Sequence, residues 1–116
     1  MLSKKFRLSR REIEELKSEK NKILQGRFFG LIFQPQKEEK KFALITSNKI
    51  SKKATVRNKF KRLFFQGLKE KLTELPSGNY LFLAKRQLLE ANFEGLEKEI
   101  VNFINIISTF SPPEPQ

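Results

Sequence analysis

Residues 55–68 read T-V-R-N-K-F-K-R-L-F-F-Q-G-L. At 100° per residue, Val56, Phe60, Leu63, Phe64, Gly67 and Leu68 fall near one face of a helix. Arg57, Asn58, Lys61, Arg62 and Lys69 spread around the opposite side, with Phe65 among them. The pattern predicts a helix over 55–75, apolar on one side and cationic on the other. Upstream, residues 27–33 (R-F-F-G-L-I-F) read as a strand buried on both sides. Residues 34–41, with Pro35 and five charges, read as a loop, and 41–47 (K-F-A-L-I-T-S) as a second strand, which together predict an antiparallel hairpin. A short third strand is possible at 49–51. Further upstream, Ser9-Arg10-Arg11-Glu12 is a capping box that opens a helix to about residue 21, with Ile13, Leu16 and Lys20 on one stripe. Downstream, Pro76-Ser77-Gly78-Asn79 breaks the chain before a strand at 80–85. Asn92 then caps a helix over 93–108 that turns Leu96, Ile100, Phe103, Ile104 and Ile107 inward. The order α-β-β-(β)-α-β-α makes an α+β two-layer sandwich, one domain over residues 1–110 with a disordered tail at 111–116.

Composition narrows the function. The 116 residues hold 24 Lys+Arg against 13 acids, a net charge of +11, and every acid is Glu. His, Cys, Asp and Trp are absent. Zinc sites of the usual ligand sets, Ser-His-Asp or Cys-His catalysis and disulfide frameworks are thereby excluded. With 38% hydrophobic residues and twelve Phe, the chain can fill a core. Its longest apolar run, counting glycine, is residues 28–33, far short of a membrane span. No apolar signal core follows the N-terminal charges, so a cytoplasmic protein is expected.

The charge is unevenly placed. Residues 87–116 carry five acids and one base, whereas the first 86 carry 23 bases and 8 acids. Residues 4–11 hold five bases and no acid, and residues 49–62 hold seven (Lys49, Lys52, Lys53, Arg57, Lys59, Lys61, Arg62), again with no acid. Such runs repel themselves, and a polyanion relieves that repulsion. A helix locked into a core by its apolar face presents Arg57, Lys61 and Arg62 rigidly, as forks and point charges suited to phosphate. Asn58 reads either as an ordinary surface residue or as a donor to a phosphate, 2′-hydroxyl or base edge. Phe65 reads as a stacking platform or as the edge of the core. Hydrolysis of a phosphodiester needs a base that works near neutral pH or a metal-activated water, and this composition offers only scattered Glu. Chemistry by the protein alone, or a metal site of its own, is not expected.

Ser47-Asn48-Lys49, followed by Ala54-x-x-Arg57-Asn58-Lys59-Phe60-Lys61-Arg62-Leu63, resembles the signature of the protein subunit of bacterial ribonuclease P. There, a strand ending in S-x-K precedes A-x-x-R-N-R-x-K-R on a helix. Arg7-Leu8 and the run Y-L-F-L-A-K-R at 80–86 match two further pieces, and the resemblance spans roughly residues 5–107. It implies a four-stranded sheet with a left-handed βαβ crossover, where general rules give a right-handed one. It also implies that a large catalytic RNA removes the 5′ leader of precursor tRNA with Mg²⁺ held through that RNA, the protein alone binding no cofactor. The implied partners are the catalytic RNA and precursor tRNA, with no membrane and no protein partner. Carried over, the RNA-facing residues are Lys49, Arg57, Asn58, Lys61 and Arg62; the basic run adds Lys52, Lys53 and Lys59, and the same helix adds Phe65. The implied leader cleft takes in Arg7, Ile13, Phe28, Ile32 and Ile45. This chain departs from the pattern at Glu12–Lys17, where Phe is usual, at Ile32, where an aromatic is common, at Lys52-Lys53 in place of Gly-Asn, and at Phe65 in place of a polar residue. The competing classes are a ribosomal-type binder of structured RNA without a processing role and a membrane-surface protein.

Overall fold

The computed structural model describes residues 4–18, 23–46 and 51–108. The capping box forms as read. Ser9 N–H donates to Glu12 Oε1 (2.8 Å), Glu12 N–H donates to Ser9 Oγ (3.2 Å), and α1 (Arg10–Ser18) follows. Next along the chain come β1 (Ile23–Gln25), β2 (Phe29–Pro35) and β3 (Lys40–Ile45), then α2 (Ala54–Glu70), β4 (Gly78–Ala84) and α3 (Phe93–Ser108). Short 3₁₀ turns lie at Lys4–Phe6, Leu72–Glu74 and Arg86–Glu90. The third of these turns buries Leu88 in the core. Asn92 caps α3 by accepting the Gly95 N–H at 2.7 Å.

The sheet runs β1-β2-β4-β3. β4 is antiparallel to β2, with Leu31 opposite Phe82 and Phe33 opposite Tyr80, and parallel to β3, with Phe42 opposite Tyr80. The hairpin expected between 27–33 and 41–47 is therefore not made, because β4 inserts between the two. The reason lies in burial. β4 is buried from Gly78 to Phe82 on both faces, whereas β3 begins with Lys40 and Lys41 and buries Phe42 alone, which suits an edge. Of the possible third strand at 49–51, residues 49 and 50 lie outside the described residues, and Ser51 is in no strand. The tail at 111–116 is likewise outside them.

Alternation along the strands divides the core. Phe29, Leu31, Phe42, Tyr80 and Phe82 face α2 and α3, meeting Phe60, Phe64, Leu68, Leu96, Ile100 and Phe103. The rings interlock, Phe64 lying 4.9 Å from Phe29 and 4.8 Å from Phe82. Tyr80 O–H donates to the Pro76 carbonyl, and burial pushes its phenol well above its ordinary range. On the opposite face Ile32 and Leu81, flanked by Ala43, Ile45 and Leu83, meet Leu8, Ile13 and Leu16. The main layers are thus the sheet and the α2–α3 pair, and short α1 lies across the back. Lys41 ties it there, its ammonium 3.0 Å from Glu12 Oε2.

Candidate nucleic-acid interface

The buried stripe of α2 (Phe60, Phe64, Gly67, Leu68) fixes the direction of its other face. Gly67 faces α3, where a Cβ would stand 3.4 Å from Ile100 Cδ1, at ordinary contact distance. Asn58, then Lys61 and Arg62, then Phe65 and Gln66, then Lys69 recur one turn apart along the helix, and together line a shallow groove of about 680 Å³. Three of these six are cations, two are amides and none is an acid. Phe65 lies at the edge of the core and also reaches the groove. It is half-buried, its ring packs at 5.1 Å and 73° against Phe64, and it also walls the groove. Lys59 is exposed, and its ammonium sits 6.0 Å over the Phe60 ring, covering the edge of the core.

The start of α2 differs from that of α1. Lys53 occupies the N-cap in an extended conformation (φ −85°, ψ 119°) with no side-chain cap, and no acid sits in the first turn. The positive end of the helix dipole is therefore met by two more cations, the exposed Lys52 and Lys53. Arg57 does more than its phosphate reading anticipated. Its Nη1 donates to the Ser51 carbonyl at 2.6 Å, so a half-buried guanidinium fastens the entering loop to the helix. Lys53 N–H adds a bond to Ser51 Oγ (3.2 Å). Lys49 lies outside the described residues.

The structure gathers only some of the residues assigned to the cleft. Ile13, Ile32 and Ile45 converge between α1 and the sheet, in a cluster whose members are all aliphatic. Arg7 is exposed and bridges to Phe42 at the outer edge of β3. Phe28 goes elsewhere: it joins the α2–α3 side, beneath the Arg27 guanidinium at 5.3 Å. Period-2 alternation fails there because the chain turns before β2 begins. Gly26 N–H bonds to the Phe29 carbonyl (2.8 Å), and the N–H groups of Arg27, Phe28 and Phe29 all point at Glu99.

Glu99, on α3, was not anticipated. Only 7% exposed, its carboxylate accepts Arg27 N–H on Oε1 at 2.7 Å and those of Phe28 and Phe29 on Oε2 at 2.8 and 2.9 Å. Gly26 makes room for it, since a Cβ there would stand 2.6 Å from Oε2. Gln66 was missed, although its i+4 spacing from Arg62 carried the signal, and Lys69, read on the cationic face, was not assigned to RNA although it lines the groove. The outer face of α3 is acidic. Glu94 pairs with Lys98 at 3.5 Å, and the Glu70 carboxyl is held above its ordinary range, first because its protonated form donates to the neighbouring Glu97 carboxylate. Among the described residues, no three acidic, His or Cys side chains converge as metal ligands, and no helix is long and apolar enough to cross a membrane.

Comparison with known proteins gives a consistent result. The family model described as Ribonuclease P matches residues 2–108. The ribonuclease P protein component of Bacillus cereus (strain AH187) is 30% identical over 105 residues, covering 87% of this chain and 90% of its own. That of a Nitratiruptor species is 31% identical over 80 residues, 69% of this chain and 72% of its own. Among solved structures, the Staphylococcus aureus RNase P protein superposes with a TM-score of 0.76 at 16% identity, covering 91% of this chain and 98% of that one. The Thermotoga maritima protein gives 0.75 at 22% identity, covering 86% and 96%. At those identities the structural likeness concerns the fold.

Proposed function

The chain belongs to the ribonuclease P protein family, and from that premise we propose how it serves a tRNA-processing ribonuclease. It is a protein component of that enzyme and works with the ribonuclease P RNA. In our reading α2 is the surface that docks on that RNA. The observation that carries this is the acid-free cationic face, held rigid by a buried stripe and continued past an uncapped, positive helix end by Lys52 and Lys53. Arg57, Asn58, Lys59, Lys61 and Arg62 contact the phosphate backbone, with Arg57 also shaping the loop that delivers Lys52 and Lys53 to it. Precursor tRNA is the second partner. Its 5′ leader lies along the back of the sheet near Ile13 and Ile45, with Arg7 at the β3 edge.

The catalytic RNA carries out the chemistry in this reading. The chain has no His, Cys or Asp to serve as base, nucleophile or metal ligand, and its Glu side chains are dispersed. Mg²⁺ enters through the RNA partner, and no residue of this chain is assigned to it. The protein supplies positive potential, which brings a negatively charged substrate onto a negatively charged catalyst. The test is cleavage of precursor tRNA in low Mg²⁺. Protein alone is expected to do nothing, a cognate catalytic RNA alone to cleave weakly, and the pair to cleave strongly. Cleavage by purified protein alone, abolished by a Glu→Gln change, overturns the reading. Cleavage by the RNA that the protein leaves unchanged would make this chain a structured-RNA binder without a processing role.

A further inference from the structure

The groove on α2 holds one residue that phosphate binding does not explain. A surface built only to neutralise phosphates needs cations and amides, yet the centre of this one is a phenyl ring. Phe65 has Lys61 and Arg62 a turn before it and Lys69 a turn after it, with Gln66 beside it and Asn58 at the far end. Its ring is backed by Phe64, which is itself wedged between Phe29 and Phe82. Phe65 is therefore half-buried against the core and already held in place before anything binds.

We infer that this groove is a seat for one unpaired nucleobase, stacked on Phe65 and clamped by the flanking cations. The inference rests on the RNA-binding reading above and adds a base-contacting site to it. Four observations favour this occupant. The volume falls within the ~300–1,000 Å³ typical of small-ligand sites. A flat apolar ring ringed by cations suits a group that is aromatic at its centre and anionic on either side, as a nucleotide within a strand is. Arg62 and Lys61 can meet the phosphates, while the amides of Gln66 and Asn58 offer both donors and acceptors to a base edge. The lining contains no acid that would repel phosphate. Stacking tolerates any base, so the site discriminates unpaired from paired nucleotides more than one sequence from another.

The test uses the full chain and two probes of equal charge, a short oligoadenylate and an abasic ribose-phosphate oligomer of the same length. Wild type is expected to bind oligoadenylate roughly 5- to 150-fold more tightly, the range for stacking one base. Phe65→Leu, which keeps an apolar contact with Phe64, should collapse that ratio toward unity while leaving the salt dependence of binding unchanged, since no charge is altered. Phe65→Tyr should restore it. Photo-crosslinking of wild type to an oligonucleotide carrying 5-iodouridine needs no variant and should place the adduct on Phe65. The inference fails if Phe65→Leu keeps the full ratio, if the adduct forms only elsewhere, or if polyglutamate binds as tightly as oligoadenylate. Equal binding of both probes by wild type overturns the base seat and leaves the phosphate reading standing, whereas binding of neither overturns both.

Discussion

Replacing Glu99 by Gln changes one heavy atom in the interior and should be among the most damaging conservative substitutions in this chain. The carboxylate takes three backbone N–H groups on two oxygens, at 2.7, 2.8 and 2.9 Å. A glutamine keeps one oxygen, which can hold the Phe28 and Phe29 donors, and its amide NH₂ then faces Arg27 N–H, donor against donor. One bond to a charged acceptor is lost, at about 1.5–3 kcal/mol, and a part-buried donor is left facing the new NH₂, at about 1 kcal/mol, the low end for an unpaired donor. The two surviving bonds also weaken, because their acceptor is now neutral. The loss should be about 3–4 kcal/mol, a large part of the ~5–15 kcal/mol that holds a domain of this size together. For such a chain that corresponds to a melting point lower by roughly 10–20 °C, read by circular dichroism. Glu99→Ala, which orphans all three donors, should be at least as harmful. Glu94→Gln, on the exposed face of the same helix, should stay within about 0.5 kcal/mol of wild type. A Glu99→Gln protein melting within about 2 °C of wild type would refute the reasoning, because the three N–H groups would then have found other acceptors.

Four further outcomes are expected. Phe60→Ala should destabilise the fold by about 3–5 kcal/mol, while Arg57→Ala should remain folded by circular dichroism and weaken RNA binding by about 1–3 kcal/mol. Gly67→Ala should be neutral or stabilise by up to about 1 kcal/mol in chemical denaturation, because the added methyl meets Ile100 at ordinary contact distance and alanine favours helix. Glu12 is held below the usual carboxylate range, first by Ser9 N–H and also by Lys41. Its contribution is present above the unfolded value and is lost as pH falls through the folded one. Hydrogen-exchange protection of α1 should therefore hold at neutral pH and decline once acidification passes below the ordinary carboxylate range, and Glu12→Gln should flatten that decline. The logarithm of RNA affinity should fall with the logarithm of salt at a slope of roughly −6 to −9 for about seven to ten neutralised phosphates, shallower on single strands, and a flat response would remove the polyanion reading.

What could be read from the sequence was local. The Ser9–Glu12 box, the Asn92 cap and the two-faced helix read at 55–75 each depend on residues a few positions apart, and each formed, although the helix ends at Glu70 and a separate 3₁₀ turn at Leu72–Glu74 takes the place of its expected end. The pairing of strands was not local. β1 is three residues long with only Leu24 turned toward the core, too short for periodicity to register, and β2 began two residues later than expected because Phe28 swings to α3. Glu99 was illegible for a stricter reason. Its partners are backbone N–H groups 70 to 72 positions away, and such groups carry no side-chain identity for a sequence reader to match. Arg57 shows the opposite limit: its residue type announced phosphate binding, and nothing in it announced the Ser51 carbonyl.

The strand order also bears on how this chain is made. Its central strand, β4, is the last to be synthesised, since β3 ends at Ile45 and β4 at Ala84. Roughly forty residues, or ~2–8 s at ~5–20 residues per second, pass between them. Throughout that interval β2 has only three-residue β1 beside it, and β3 has only the bridge to Arg7. No stable partial sheet can assemble while the nascent chain waits, because a lone short pairing is marginal in water. The sheet then closes late, through contacts distant along the chain, and Glu99 can join it only after α3 has emerged. The phenylalanines that make the finished core so dense are, until that moment, open to the ribosome's surroundings, and a translational pause before Gly78 would expose them for longest.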